Sequence, residues 1–140
     1  MITGITHQAI RARDIEKTAA FYTEVLGLQE AFRMYHPDGT LGTIYLYIAK
    51  SQFLEVFSGG AKEMELENDL IGHCHLCFEV SDAKTAIEVF RSKGAPIDSE
   101  IRTGKSLCIQ FWTHDPDGNK IELMQLPPES LQAQANEKFK

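Results

Sequence analysis

Apolar and polar positions along the chain spell the same series of elements twice. Residues 4–13 alternate weakly and predict a short strand. Asp14 suits a helix N-cap. Ile15, Thr18, Ala19, Tyr22, Val25 and Leu26 follow at helical spacing, up to Gly27, a residue type that ends helices. Residues 28–36 predict a strand and Pro37-Asp38-Gly39 a turn. Two runs rich in β-branched and aromatic types, 43–49 and 52–57, predict two more strands. Residues 58–71, glycine-led and then acidic, read as a linker.

The series then restarts. Residues 73–80 predict a strand, and Asp82 caps a helix with Ala83, Ala86, Ile87 and Phe90 on one face, ending at Gly94. Strands follow at 97–102 and 106–113, then the turn Asp115-Pro116-Asp117-Gly118, then a last strand from Lys120 to Leu126. Pro127-Pro128 ends it, and the tail from Ser130 predicts a short polar helix or a frayed end.

The two series keep register. His7 and His75 each stand seven residues before a helix-capping aspartate, and Tyr22 and Phe90 stand eight after it. Glu55 follows His7 by 48 residues, and Glu122 follows His75 by 47. The period is too long for a solenoid. It predicts an internal duplication in an α+β chain: two tandem βαβββ modules with paired, barrel-like mixed sheets. Length argues for a single domain over 1–140, with module one at 4–57, the linker at 58–71, module two at 72–126 and a polar tail at 127–140.

Side chains alternate along a strand, so faces can be assigned. Leu54 and Val56 oppose Phe53, Glu55 and Phe57; Ile121 and Leu123 oppose Glu122. Leu76 and Phe78 oppose His75 and Cys77. Glu55, His75 and Glu122 therefore point away from the stripe that packs on the helices. His7 is less clear, because its strand is only weakly amphipathic. A lone carboxylate between Phe53 and Phe57 would be costly to bury. A divalent cation shared by two carboxylates and two imidazoles removes that cost, and two His with two Glu suit Zn²⁺, Ni²⁺, Co²⁺ or Fe²⁺.

The segment Gly72-His73-Cys74-His75-Leu76-Cys77 offers rival readings: a thiol–imidazole metal clip or a redox Cys-x-x-Cys. Cys74 and Cys77 would face opposite ways on a strand, and no Gly or Pro lies between them to make a turn. We read them as packing residues, one on each face. His73 has no counterpart in the first series, where Ile5 stands. It reads as a residue beside the ligand His75, or as a solvated one.

Composition narrows the function classes. The net charge of −6 and the lack of any basic run argue against nucleic acid as a partner. No apolar run reaches the roughly 18 residues of a membrane span, and no basic-then-apolar leader opens the chain. Three cysteines, an odd number in a chain of this size, read as reduced thiols in a cytoplasmic protein.

The motifs carrying chemistry are His7 with Asp14-Ile15-Glu16-Lys17 and Phe21-Tyr22-Thr23-Glu24-Val25-Leu26-Gly27, then His75-Leu76-Cys77-Phe78-Glu79-Val80 with Asp82, then Asp115-Pro116-Asp117-Gly118-Asn119-Lys120-Ile121-Glu122. Together they resemble the vicinal oxygen chelate superfamily (glyoxalase, bleomycin resistance, dioxygenase) over residues about 4 to 126. The resemblance implies one metal ligand on the first and last strand of each module, hence His7, Glu55, His75 and Glu122. That His-Glu-His-Glu set is similar to glyoxalase I (lactoylglutathione lyase).

The resemblance further implies one divalent ion per site, nickel or cobalt before zinc, and a homodimer. The reaction implied is a metal-dependent lyase or isomerase step on a small-molecule substrate. The hemithioacetal of a 2-oxoaldehyde such as methylglyoxal and a low-molecular-weight thiol becomes a 2-hydroxyacyl thioester. Glu122 is the first candidate for the proton-moving base and Glu55 the second. Arg11, four residues after His7, matches a substrate-binding arginine of glyoxalase I. That enzyme's asparagine after the first-module glutamate has no counterpart, since Phe57, Ser58 and Gly59 follow Glu55, which leaves the thiol open. Two alternatives remain within the superfamily: a non-catalytic module that sequesters a small molecule such as an antibiotic, with Phe53, Phe57 and Trp112 as aromatic contacts, and an acyl-CoA epimerase.

Overall fold

The computed structural model describes residues 1–63 and 71–139. The chain divides into two compact units, Met1–Glu65 and Leu66–Lys140, and the division falls within the stretch read as a linker. The reading of 64–70 as linker lies outside the described residues.

The first unit contains β1 (His7–Arg11), α1 (Ile15–Ala20), β2 (Gln29–Tyr35), β3 (Leu41–Ala49) and β4 (Gln52–Phe57). Its sheet runs in the order β1-β4-β3-β2, with β1 parallel to β4 and the other pairs antiparallel. The second unit contains β5 (Leu76–Glu79), α2 (Ala83–Ser92), β6 (Ser99–Thr103), β7 (Ile109–His114), β8 (Lys120–Gln125) and α3 (Leu131–Lys138). Its order is β5-β8-β7-β6, with β5 parallel to β8. The predicted βαβββ repeat is thus present as two four-stranded mixed sheets of identical connectivity. The parallel pair needs a crossover, and the helix supplies it.

Each helix packs on one face of its own sheet. In the first unit Thr18, Ala19 and Tyr22 are buried with Ile44, Leu46, Leu54 and Val56. In the second, Ala83, Ile87 and Phe90 are buried with Phe78, Phe111, Ile121 and Leu123, and the Phe90 and Phe111 rings meet edge-on at 5.4 Å. Each such aliphatic side chain contributes about 1.5–3 kcal/mol by leaving water. This burial fixes strand register. Slipping β4 or β8 by one residue would expose its leucine and drive Glu55 or Glu122 into the apolar layer.

The caps are as predicted. The Asp14 carboxylate accepts from the Lys17 amide at 3.1 Å, and Asp82 accepts from the Thr85 amide at 2.7 Å. Gly27 and Gly94 end the helices with φ of +78° and +70°. Behind Gly94 the Ala95 amide bonds back to the Phe90 carbonyl. Behind Gly27 the Leu28 amide reaches Tyr22 instead, one residue further back, because α1 continues as a wider π-type turn over Phe21–Val25. A π turn accommodates one inserted residue. It explains why Glu55 trails its histidine by one residue more than Glu122 does.

Two expectations are refined. The strand predicted over 73–80 forms only at Leu76–Glu79, leaving His75 just before it. Cys74 is solvent-exposed and not a packing residue; Cys77 is exposed as a residue although its sulfur lies against Glu122; Cys108 is buried, and all three are unpaired thiols. At the C-terminus α3 forms, capped by the buried Ser130, whose hydroxyl accepts from the Ala133 amide. No helix among the described residues is long and apolar enough to cross a membrane.

Two half-sites on equivalent sheet faces

The sheet face turned away from each helix carries the predicted residues. In module one β1 places His7, Ala9 and Arg11 on that face, where Ala9 pairs in register with Glu55 and Arg11 with Phe57. Across β3, Tyr45 pairs with Glu55, and across β2, Phe32 pairs with Tyr45. One row therefore reads Ala9, Glu55, Tyr45, Phe32. In module two the equivalent row reads Cys77, Glu122, Trp112, Ser99.

Both glutamates are nearly buried, with 7% exposure at Glu55 and 5% at Glu122. Each has one histidine at its mouth. His7 Nε2 lies 3.4 Å from Glu55 Oε2, and His75 Nε2 lies 3.2 Å from Glu122 Oε2. The ambiguity over His7 is thereby removed: it shares a face with Glu55. The histidine rings are placed alike. His7 meets Tyr45 edge-on at 6.0 Å, and His75 meets Trp112 edge-on at 4.8 Å.

The donor set fits a divalent metal. Nitrogen and oxygen ligands at about 2.0–2.2 Å from an ion, subtending 90–110°, stand about 3.0–3.5 Å apart. Both His–Glu separations fall in that range, longer than the roughly 2.7–2.9 Å of a charge-assisted hydrogen bond. The structure brings His7 to Glu55 and His75 to Glu122. Among the described residues no three His, Cys, Asp or Glu side chains form a group able to hold a metal ion.

Each glutamate has a further neighbour that sequence reasoning missed. The Tyr45 phenol is pushed above its ordinary pKa by burial, then by its hydrogen bond to Glu55 and that carboxylate's charge. The Cys77 thiol is pushed up to about 12 by withdrawal from water, then by the charge and hydrogen bonding of Glu122. Cys77 is solvent-accessible as a residue, yet its sulfur sits against that carboxylate. It is a neutral donor at physiological pH, not a reactive thiolate. The one available signal was cross-strand register, which strand-by-strand alternation does not provide.

Arg11 lies on the His7 face. Its Nη1 donates to the Ser58 carbonyl at 2.8 Å, and its guanidinium sits 5.2 Å from the Phe57 ring centre. His73 is exposed. The turn before β8 is held by Asp115, which is buried and accepts from the Asp117 amide, the Asn119 amide and the Asn119 side chain. That turn sets where β8, and so Glu122, begins.

Module two also carries a cleft of about 480 Å³, lined by Cys74, His75, Asp98, Ser99, Arg102, Trp112 and Lys120.

Duplicated βαβββ units with a His–Glu pair on each free sheet face define a two-module α+β protein of the glyoxalase-like fold. The chain belongs to the Glyoxalase/Bleomycin resistance protein/Dioxygenase superfamily, whose family profile matches residues 4–123. Among its relatives is the uncharacterized protein YwkD of Bacillus subtilis (strain 168), 31% identical over 127 residues, covering 88% of this chain and 97% of that one. Lactoylglutathione lyase of Neisseria meningitidis serogroup A is 30% identical over 126 residues, covering 86% and 89%. Among solved structures, the glyoxalase family protein from Enterococcus faecalis superimposes with a TM-score of 0.75 at 26% identity, covering 86% of this chain and 96% of that one.

Proposed function

We propose that the protein is a metal-dependent lyase of the glyoxalase I type, converting the hemithioacetal of a 2-oxoaldehyde and a thiol into a 2-hydroxyacyl thioester. One observation carries this reading. A nearly buried glutamate faces a histidine at ligand-like distance at the same register position in both modules. The similarity to lactoylglutathione lyases points the same way.

His7, Glu55, His75 and Glu122 would hold one divalent ion, nickel or cobalt before zinc. A complete set takes one pair from each kind of module, and a homodimer contains two pairs of each kind. Bound there, the ion would supply Lewis acidity that acidifies the proton beside the substrate's carbonyl. The protein's own residues do the proton work. Glu122 takes the C1 proton of the hemithioacetal and returns it at C2, while the C1 hydroxyl proton moves to the C2 oxygen. The C1–H bond breaks, a C2–H bond forms, and no redox partner is needed. His75 and the Cys77 thiol would position the Glu122 carboxylate, and Arg11 would face the anionic part of the substrate.

The test is elemental analysis of purified protein, followed by turnover of methylglyoxal with several thiols. Glu122→Gln and His75→Ala should lose metal stoichiometry and activity together. If both variants bind metal as the wild type does, the ligand set is wrong.

A further inference from the structure

The chain has five arginines, and four of them are engaged. Arg11 donates to the Ser58 carbonyl and lies over the Phe57 ring. Arg13 pairs with Glu63 at 3.0 Å. Arg33 is held between Glu16 and Glu30, and Arg91 between Glu88 and Glu100. Arg102 is the exception: among the described residues nothing hydrogen-bonds to it, pairs with it or stacks on it.

Its surroundings keep it so. Arg102 is exposed on β6, the edge strand of the second sheet. On a regular strand, residues three apart face opposite ways. A break in register between Ser99 and Arg102 lets both line the module-two cleft. The one carboxylate lining that cleft, Asp98, is engaged by His114 Nδ1, at 2.9 and 2.8 Å from its two oxygens. Arg102 thus shares the cleft with His75 and has no acid covering its planar fork.

A guanidinium is ordinarily inert because it stays protonated. Vicinal dicarbonyls are the exception, since their two adjacent carbons match the spacing of its two terminal nitrogens. The attacking nitrogen must first give up a proton, and a carboxylate on the fork opposes that loss. The pKa of Arg33 is raised by its hydrogen bonds to Glu30 and then Glu16, and that of Arg91 by those to Glu100 and then Glu88. Both are protected in this way, and Arg102 is not.

We propose that Arg102 is the site at which free 2-oxoaldehyde modifies this protein covalently, so that excess aldehyde blocks the module-two cleft when thiol runs short. One Nη of the neutral guanidine adds to the aldehyde carbon and the other to the ketone carbon. Each N–H proton passes to the oxygen of the carbonyl attacked, giving a dihydroxyimidazolidine. The ketone-derived hydroxyl then leaves as water with the hydrogen on the aldehyde-derived carbon, and the resulting enol tautomerises to a hydroimidazolone. Two C–N bonds form, and no oxidant or reductant takes part. Acylation of the guanidine removes its basicity, so a neutral ring replaces a cation beside His75. The proposal rests on the lyase reading for the source of the aldehyde, but its test needs no turnover.

The full chain is incubated with methylglyoxal and, separately, with 2,3-butanedione in borate, which traps the diol. Butanedione has no aldehydic hydrogen to shift and is never turned over. Peptide maps rank the arginines by rate, because trypsin skips a modified arginine. Arg102 should react first, about tenfold or more ahead of Arg33 and Arg91, the factor that one pKa unit supplies. Excess N-acetylcysteamine, which converts the aldehyde to its hemithioacetal, should slow the methylglyoxal reaction. Trp112 is the only tryptophan and lines the same cleft, so its fluorescence should change in step with Arg102 and stay constant in Arg102→Gln at the same dose.

Modification spread evenly over the arginines, Arg11 or Arg13 reacting before Arg102, no protection by thiol, or a Trp112 signal indifferent to Arg102 overturns the proposal. Arg102 reacting first with both reagents, in a protein that turns over no hemithioacetal, removes the lyase reading and leaves the reactive arginine standing.

Discussion

Around Glu55 the first module sets Ala9, Tyr45 and Phe32; around Glu122 the second sets Cys77, Trp112 and Ser99. The difference extends over the whole face. Phe53 and Phe57 flank Glu55 along β4, whereas Lys120 and Met124 flank Glu122 along β8. One backbone, used twice, thus carries an aromatic face and a polar, partly cationic one. The helix-facing layers also differ residue by residue, with Leu54 and Val56 answered by Ile121 and Leu123 and Ile44 and Leu46 by Phe111 and Thr113, but they stay uncharged in both modules. The pair itself is the feature both faces retain.

The comparison is broken most directly at the two glutamates. If Glu122 moves the proton while Glu55 serves as ligand, Glu122→Gln should lower kcat by about 10²–10⁴, the usual contribution of a general base. Glu55→Gln should lose metal affinity but retain more turnover when metal is saturating. Steady-state kinetics across a metal titration separates the two. Equal losses of kcat, or a larger one at Glu55, would reverse the assignment.

The next largest effect sharpens the likeness of the pairs. Tyr45 and Cys77 are different solutions to one need, a hydrogen-bond donor against a nearly buried carboxylate. Removing either donor, as Tyr45→Phe or Cys77→Ala, should weaken metal binding roughly tenfold, as loss of a group supporting a ligand generally does. Competition against a chromogenic chelator measures it. A variant with unchanged metal affinity would remove that residue from the site.

Much of this was legible in the sequence, and the reasons are local. Asp14, Gly27, Asp82 and Gly94 act within one turn of themselves, so the helix ends could be read directly. Leu54 and Val56 against Glu55 needed only alternation. β1 was harder, because its helix-side positions are Gln8 and Ile10, and a glutamine there blurs the pattern. What remained hidden is non-local. Tyr45 meets Glu55 and Ser99 meets Trp112 only through strand register, and the register break before Arg102 leaves no mark in the sequence. The extra residue of module one showed as an offset between the two halves. Only the π turn at Phe21–Val25 showed where it is absorbed. Whether the two pairs meet within one chain was left open by the sequence, because a repeat specifies equivalence and not proximity.

The smallest effect concerns the helix caps, where the modules are most alike. The Thr85 amide donates to Asp82 at 2.7 Å, against 3.1 Å for the Lys17 amide and Asp14, so the second cap is the more sensitive place to test charge. That hydrogen bond holds the Asp82 carboxyl below its ordinary pKa of 3.8. A depressed folded-state value means that the unfolded chain binds the proton more readily. The stabilisation is therefore complete above about pH 4 and disappears as the pH falls through the lower folded value. Asp82→Asn keeps a capping oxygen and removes the charge. Its melting temperature should lie slightly below that of the wild type near neutrality, and the gap should close on acidification. A gap that stays constant or widens as the pH falls would mean that the carboxylate's charge contributes nothing to the cap, and that shape alone starts the helix behind Cys77.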